Sequence, residues 1–165
     1  VARILIVGGG CRGRQLAAAA IADGHAARIT TRAESGRGAI EAIGAECWIG
    51  TPDRLATLRA ALDGVTIICW LLGSAVGSPQ ELSALHTERL EYFLTQAIDT
   101  TARGFVYEAR GANAPPEALI AGERTVRALA QRNAIPLEVL SADPADSAPW
   151  LEDARRALAA LLGCG

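Results

Sequence analysis

Lysine is missing from this sequence: all 16 basic residues are arginine. That absence excludes a lysine Schiff base, a phosphate-loop lysine and a tyrosine–lysine catalytic pair. An excess of positive charge is missing too. The formal net charge over 165 residues is −2, which leaves no electrostatic ground for a nucleic-acid or anionic-membrane binder. No apolar run approaches the ~20 residues that span a bilayer. The first apolar stretch meets three glycines at Gly8, so no signal peptide is expected and a cytoplasmic location is. Histidine and cysteine are scarce. His25 and His86 lie far apart, and Cys11, Cys47, Cys69 and Cys164 show no C-x-x-C spacing, so no metal site is expected. Cys47 and Cys69 fall in apolar runs and read as small buried hydrophobes.

What is present is an alternation of short apolar runs with longer amphipathic ones. A chain of this length buries roughly two-thirds of its unfolded surface, enough for one core, and residues 1–165 are expected to form a single domain. Strands are expected at Arg3–Val7, Ala26–Thr31, Ala45–Ile49, Val65–Leu72, Gly104–Glu108 and Ile135–Leu140. Helices are expected at Gly13–Asp23, Ser35–Ile43, Thr51–Asp63, Glu81–Thr101, Pro116–Asn133 and Trp150–Leu162. Thr51 reads as an N-cap with Pro52 in the first turn, and Pro136 marks an edge strand. Pro144–Pro149 reads as a linker. Strands separated by helices predict an α/β fold, a three-layer doubly wound parallel sheet of the Rossmann type in the order 3-2-1-4-5-6.

The first strand runs into Gly8-Gly9-Gly10-Cys11-Arg12-Gly13. Gly8, Gly10 and Gly13 satisfy G-x-G-x-x-G at a strand-to-helix turn, the setting in which this spacing binds a dinucleotide. Gly8 permits the turn, Gly10 lets a pyrophosphate approach the backbone, and Gly13 lets helix pack on strand. The helix N-terminus adds free N–H groups and partial positive charge. An NAD site usually carries Asp or Glu at the end of the second strand. Here Thr30-Thr31-Arg32 stands there, and a guanidinium suits a 2′-phosphate. Arg12 offers a second cation. NADP(H) is therefore expected in preference to NAD(H), unless Glu34 faces the ribose.

The stretches GGGCRGRQLA, GHAARITTR and GAECWIGTPDRLATLRAALDGVTIICWLLG resemble the NAD(P)-binding half of the atypical short-chain dehydrogenases. That group includes epimerase/dehydratase-like and NmrA-like proteins. The resemblance implies pyrophosphate contacts from Gly8, Gly10, Cys11, Arg12 and Gly13, and adenosine contacts from Thr31 and Arg32. It also implies that Leu72, Gly73 and Ser74 line the adenine and nicotinamide-ribose side. Two departures stand out. The family's Tyr-x-x-x-Lys pair cannot exist here, and only about twenty-five residues follow the sixth strand, where extended members carry a substrate domain.

At the end of the fifth strand, Tyr107 and Glu108 are candidate proton-transfer groups, with Arg110 as an anion holder; a packed tyrosine and a surface ion pair are the alternative. His86 reads as a solvated helix residue. Trp48 and Trp70 read as core. Two functions stay open: an NADP(H)-dependent oxidoreductase acting on an unknown small molecule, and a non-catalytic NADP(H)-binding sensor or subunit. The leucine-rich helix Glu81–Thr101 predicts a homodimer if its apolar stripe is exposed.

Overall fold

The computed structural model describes residues 1–163; Cys164 lies outside them. β1 (Arg3–Gly8), β2 (Ala26–Thr31), β3 (Glu46–Ile49), β4 (Ile67–Leu71), β5 (Gly104–Glu108) and β6 (Leu137–Leu140) form one sheet. Its order is β3-β2-β1-β4-β5-β6, and every pairing is parallel. This is the expected Rossmann-like topology. β4, at the centre, is apolar throughout because both its faces are covered. Every residue of β4 and β5 is buried.

Side-chain alternation along β1 sorts the core into two layers. Leu5 and Val7 face α3 (Pro79–His86), α4 (Glu88–Ala97) and α5 (Pro116–Asn133), together with Trp70, Phe93 and Phe105. Ile4 and Ile6 face α1 (Gly10–Ala22) and α6 (Ser147–Gly163), together with Leu16, Cys69 and Trp150. Each fully buried large apolar side chain contributes about 1.5–3 kcal/mol relative to exposure. Trp70 also donates its Nε1–H to the Leu85 carbonyl at 3.0 Å and stacks at 5.0 Å from Phe93. β6 is an edge strand, as Pro136 suggests. Pro136 sits just ahead of it and gives its carbonyl to the Phe105 amide.

Several expectations about helices require correction. The span 51–63 is not an α-helix; it holds two 3-10 turns, Leu55–Leu58 and Ala60–Leu62. Carbonyls that a helix would use are taken by side chains. Trp48 Nε1 donates to the Thr57 carbonyl, and Arg28 Nη1 donates to the carbonyls of Ala61 and Asp63. Thr51 and Thr57 hydroxyls also bond the local backbone, in competition with helix. The long stretch 81–101 breaks at Thr87, whose φ of −121° and ψ of −102° are not helical. Its hydroxyl donates to the Ser83 carbonyl at 2.8 Å. α1 starts at Gly10 rather than Gly13. Between β2 and β3 a 3-10 turn, Glu34–Gly36, precedes a short α2 (Arg37–Glu41). α6 begins at Ser147, inside the expected linker. Cys47 is only half-buried, whereas Cys69 is buried.

The apolar residues of α3 and α4 are buried within the chain. Leu82, Leu85, Leu90, Phe93, Leu94 and Ala97 all face the core, and Tyr92 is the large apolar side chain left exposed there. The exposed stripe that argued for a homodimer is therefore absent from these helices. No helix among the described residues is long and apolar enough to cross a membrane.

Candidate functional site

The strand order reverses between β1 and β4, and their carboxyl ends part there. In open parallel sheets this crevice is where ligands bind. A cavity of about 800 Å³ opens at that point, within the range for ligand sites of roughly 300–1,000 Å³. The glycine loop forms its floor. Leu71, Leu72, Ser74, Ala75 and Val76 form one wall, and Thr30, Thr31, Arg32, Gly50 and Pro52 the other.

The loop geometry follows from three left-handed glycines. Gly8, Gly9 and Gly10 have φ of 80°, 87° and 50°. Gly9 is the residue before α1, and its carbonyl accepts from the Gly13 amide at 3.0 Å. A Cβ on Gly8 would lie 2.8 Å from the Leu71 carbonyl oxygen. A Cβ on Gly13 would lie 2.8 Å from the Gly8 carbonyl oxygen and 3.2 Å from Ile6. Both glycines are thus required by packing. Gly10 differs: a Cβ there meets nothing within 4 Å and points into open space.

Of the residues expected to hold a cofactor, Gly8, Gly10, Cys11, Arg12, Thr31, Arg32, Leu72 and Ser74 line the cavity. Gly13 and Gly73 do not; Gly13 packs against Gly8 and Ile6, and Gly73 against Glu108 and Arg110. Arg12 donates its Nε–H to the Pro144 carbonyl at 2.8 Å, which ties the glycine loop to the segment after β6. Arg14 also lines the cavity and reaches Cys11 Sγ at 3.2 Å. Pro144 and the Gly50–Pro52 turn were not singled out by motif, because their place depends on chain crossings far apart in sequence; Arg14 sits one residue beyond the glycine motif, on the first turn of α1. Glu34 forms a two-pronged pair with Arg37, at 2.7 and 3.0 Å, and does not line the cavity.

The strand-end residues stand elsewhere. Tyr107 and Glu108 are buried, at 0% and 2% exposure, and neither lines the cavity. The expectation that they present acid–base groups to the crevice is corrected accordingly. The Tyr107 hydroxyl and His86 Nδ1 share a hydrogen bond of 2.8 Å, and the phenol packs against Gly122, where a Cβ would clash with its oxygen. Burial, aided by the charges of Glu123 and Glu108, pushes the phenol upward, so it stays protonated. Glu108 accepts from the Gly73 amide at 2.8 Å and from Trp150 Nε1–H at 2.7 Å. Burial raises its pKa against these two donors. It clamps the β4 loop to α6. Arg110 is exposed and pairs with Asp143 at 3.4 Å. Gly73 and Gly111 touch backbone to backbone and leave no room for a Cβ on either.

His86 is fully buried, not solvated as its helix position suggested. Burial lowers its pKa from 6.5 to about 4. Between those values the unfolded chain binds the proton and the native one does not. The His86 contribution to stability is therefore whole above pH 6.5 and lost as pH falls through about 4. The full loss is about 3 kcal/mol. Glu108 acts in the opposite sense, since its raised pKa costs stability as pH rises above 4.5. A His86→Gln variant isolates the first effect. Its urea midpoint should fall less than the wild-type midpoint between pH 7 and pH 4.5; equal falls would count against the assignment.

No family model matches the sequence, and no curated protein matches it. Solved structures do match. The structure of gox2253 superposes with a TM-score of 0.68 at 20% identity, covering 84% of this chain and 50% of that one. UDP-glucuronic acid 4-epimerase from Bacillus cereus, in complex with NAD, matches at 0.65 and 14% identity, covering 86% and 56%. Vestitone reductase from alfalfa (Medicago sativa) matches at 0.61 and 13%, covering 84% and 56%. The chain spans about half the length of these proteins. At such identities the likeness is one of fold, and the fold is the one that the resemblance to atypical short-chain dehydrogenases implies: this chain is a Rossmann-like α/β protein, built on the same sheet as these epimerases and reductases.

Proposed function

We propose that this chain is an NADP(H)-binding Rossmann domain of the atypical short-chain type, lacking the tyrosine–lysine pair. The observation that carries the reading is the charge at the end of β2: Arg32 lines the cavity, while Glu34 is turned onto Arg37. A guanidinium there favours a 2′-phosphate, and Glu34, which follows it closely in sequence, is engaged elsewhere. The open face of Gly10 and the free amides at the start of α1 fit a pyrophosphate. Gly8, Gly10, Cys11 and Arg12 would hold it, Thr31 and Arg32 the adenosine end, and Leu72 and Ser74 the opposite wall. When bound, the cofactor supplies hydride-transfer chemistry; the protein supplies orientation.

A second reading is a non-catalytic NADP(H) sensor or subunit. The burial of Tyr107 and Glu108 favours it, because no acid–base side chain of the fifth strand reaches the cavity. Both readings require binding. NADPH at a hundredfold excess over its Kd should stabilise the protein by about 2.7 kcal/mol, a rise in Tm of about 5–10 °C. Arg32→Ala should remove most of that rise and leave any rise with NADH intact. A larger rise with NADH than with NADPH in the wild type would overturn the preference.

A further inference from the structure

Arg32 does not stand free at the rim. Its Nη2 lies 2.7 Å from Asp53 Oδ2. Among the described residues Asp53 is its ion-pair partner, and the two differ in how firmly they are held. The Arg32 side chain is 60% exposed, the Asp53 side chain 29%. The Asp53 backbone carbonyl accepts from Arg89 Nη1 at 2.6 Å, and the Pro52 carbonyl accepts from the same nitrogen at 3.2 Å. Arg89 belongs to α4, which shares a core layer with Leu55 and Leu58, so the turn is anchored by a neighbouring helix. The Asp53 amide donates to Thr51 Oγ1, whose hydroxyl in turn donates to Asp53 Oδ2 at 3.3 Å. Thr57 closes the turn by bonding both Thr51 and Arg54. A fixed carboxylate therefore sits beside an adjustable guanidinium, next to the cavity wall formed by Gly50 and Pro52.

We infer that Asp53 sets the cofactor preference of this site by competing with the 2′-phosphate for Arg32. The inference rests on the proposed dinucleotide site. A 2′-phosphate reaching Arg32 meets a guanidinium already neutralised and a carboxylate close by, and both weaken its binding. A 2′-hydroxyl meets neither penalty, and Asp53 can accept its hydrogen bond. Asp53 thus narrows the advantage that Arg32 gives to NADP(H), and leaves room for NAD(H). Arg37 is occupied by Glu34 and Glu41, and Arg89 points its Nη1 to carbonyls, so neither replaces Arg32 as partner.

Calorimetric titration of the full chain tests this, with NADPH, NADH, adenosine 2′,5′-bisphosphate and 5′-AMP as probes. Asp53→Asn keeps the shape and removes the charge. It should tighten NADPH and the bisphosphate about tenfold, and leave NADH and 5′-AMP unchanged or weaker. Asp53→Ser, which cannot pair with Arg32, should show the same direction. In the double variant Asp53→Asn with Arg32→Ala the gain should vanish. Binding of all four probes with an unchanged NADPH-to-NADH ratio in both single variants overturns the role of Asp53 and leaves the cofactor site standing. Failure of every probe to bind wild type and variants overturns the site itself, and Asp53 with it.

Discussion

A Gly10→Ala substitution is expected to weaken NADPH binding about 100-fold while costing only about 1–2 kcal/mol of stability. The two effects separate because Gly10 faces no protein. Its Cβ would meet nothing within 4 Å, so the stability cost is that of a left-handed backbone at φ 50°. The added methyl instead projects into open space, where the proposed pyrophosphate would approach the amides of α1. Displacing the phosphates loses charge-assisted hydrogen bonds of about 1.5–3 kcal/mol each. Gly8→Ala supplies the contrast. Its Cβ would strike the Leu71 carbonyl and the Leu72 side chain, so the fold should suffer first. Titration of NADPH alongside urea unfolding checks both. A Gly10→Ala protein that binds NADPH as the wild type does would place the pyrophosphate elsewhere.

Glu108→Ala should lower stability by about 3–5 kcal/mol, a large fraction of the ~5–15 kcal/mol that holds a domain together. The loss has two parts. The Gly73 amide and the Trp150 indole N–H each lose a buried acceptor, at about 1–3 kcal/mol apiece. The vacated volume adds a cavity between the β4 loop and α6. Glu108→Gln should cost less, about 1–3 kcal/mol, because its oxygen can serve one donor while its amide faces the other. The effect should extend to the site. Gly73 follows Leu72 and precedes Ser74, and both line the cavity, so nucleotide binding should weaken in the same variants. Denaturant unfolding that placed Glu108→Ala within 0.5 kcal/mol of wild type, about the range of a surface change, would refute the clamp.

The glycine loop and the strand order were legible because each is written locally. Three glycines at fixed spacing after an apolar run have few other uses, and strands buried on both faces announce themselves by continuous apolar residues such as those of β4. The misread segments share another cause. Residues 51–63 carry helix-like punctuation, yet Arg28 and Trp48 from neighbouring strands take their carbonyls. His86 looks exposed on a helix until Tyr107 of β5 arrives as its partner. Tyr107 and Glu108 look poised at a strand end, but Gly122, Gly73 and Trp150, each distant in sequence, enclose them. Polar residues whose partners come from another element leave no periodic trace. The same holds for the Arg32–Asp53 pair, which joins the ends of two strands.

Isothermal titration of the purified wild-type chain with NADPH tests the central claim most directly. Saturable binding at one site per chain, weakened about 100-fold in Gly10→Ala and about 10- to 100-fold in Arg32→Ala, is the predicted result. No heat and no displacement with either NADPH or NADH would contradict it, and would leave a Rossmann scaffold whose cleft serves something other than a dinucleotide.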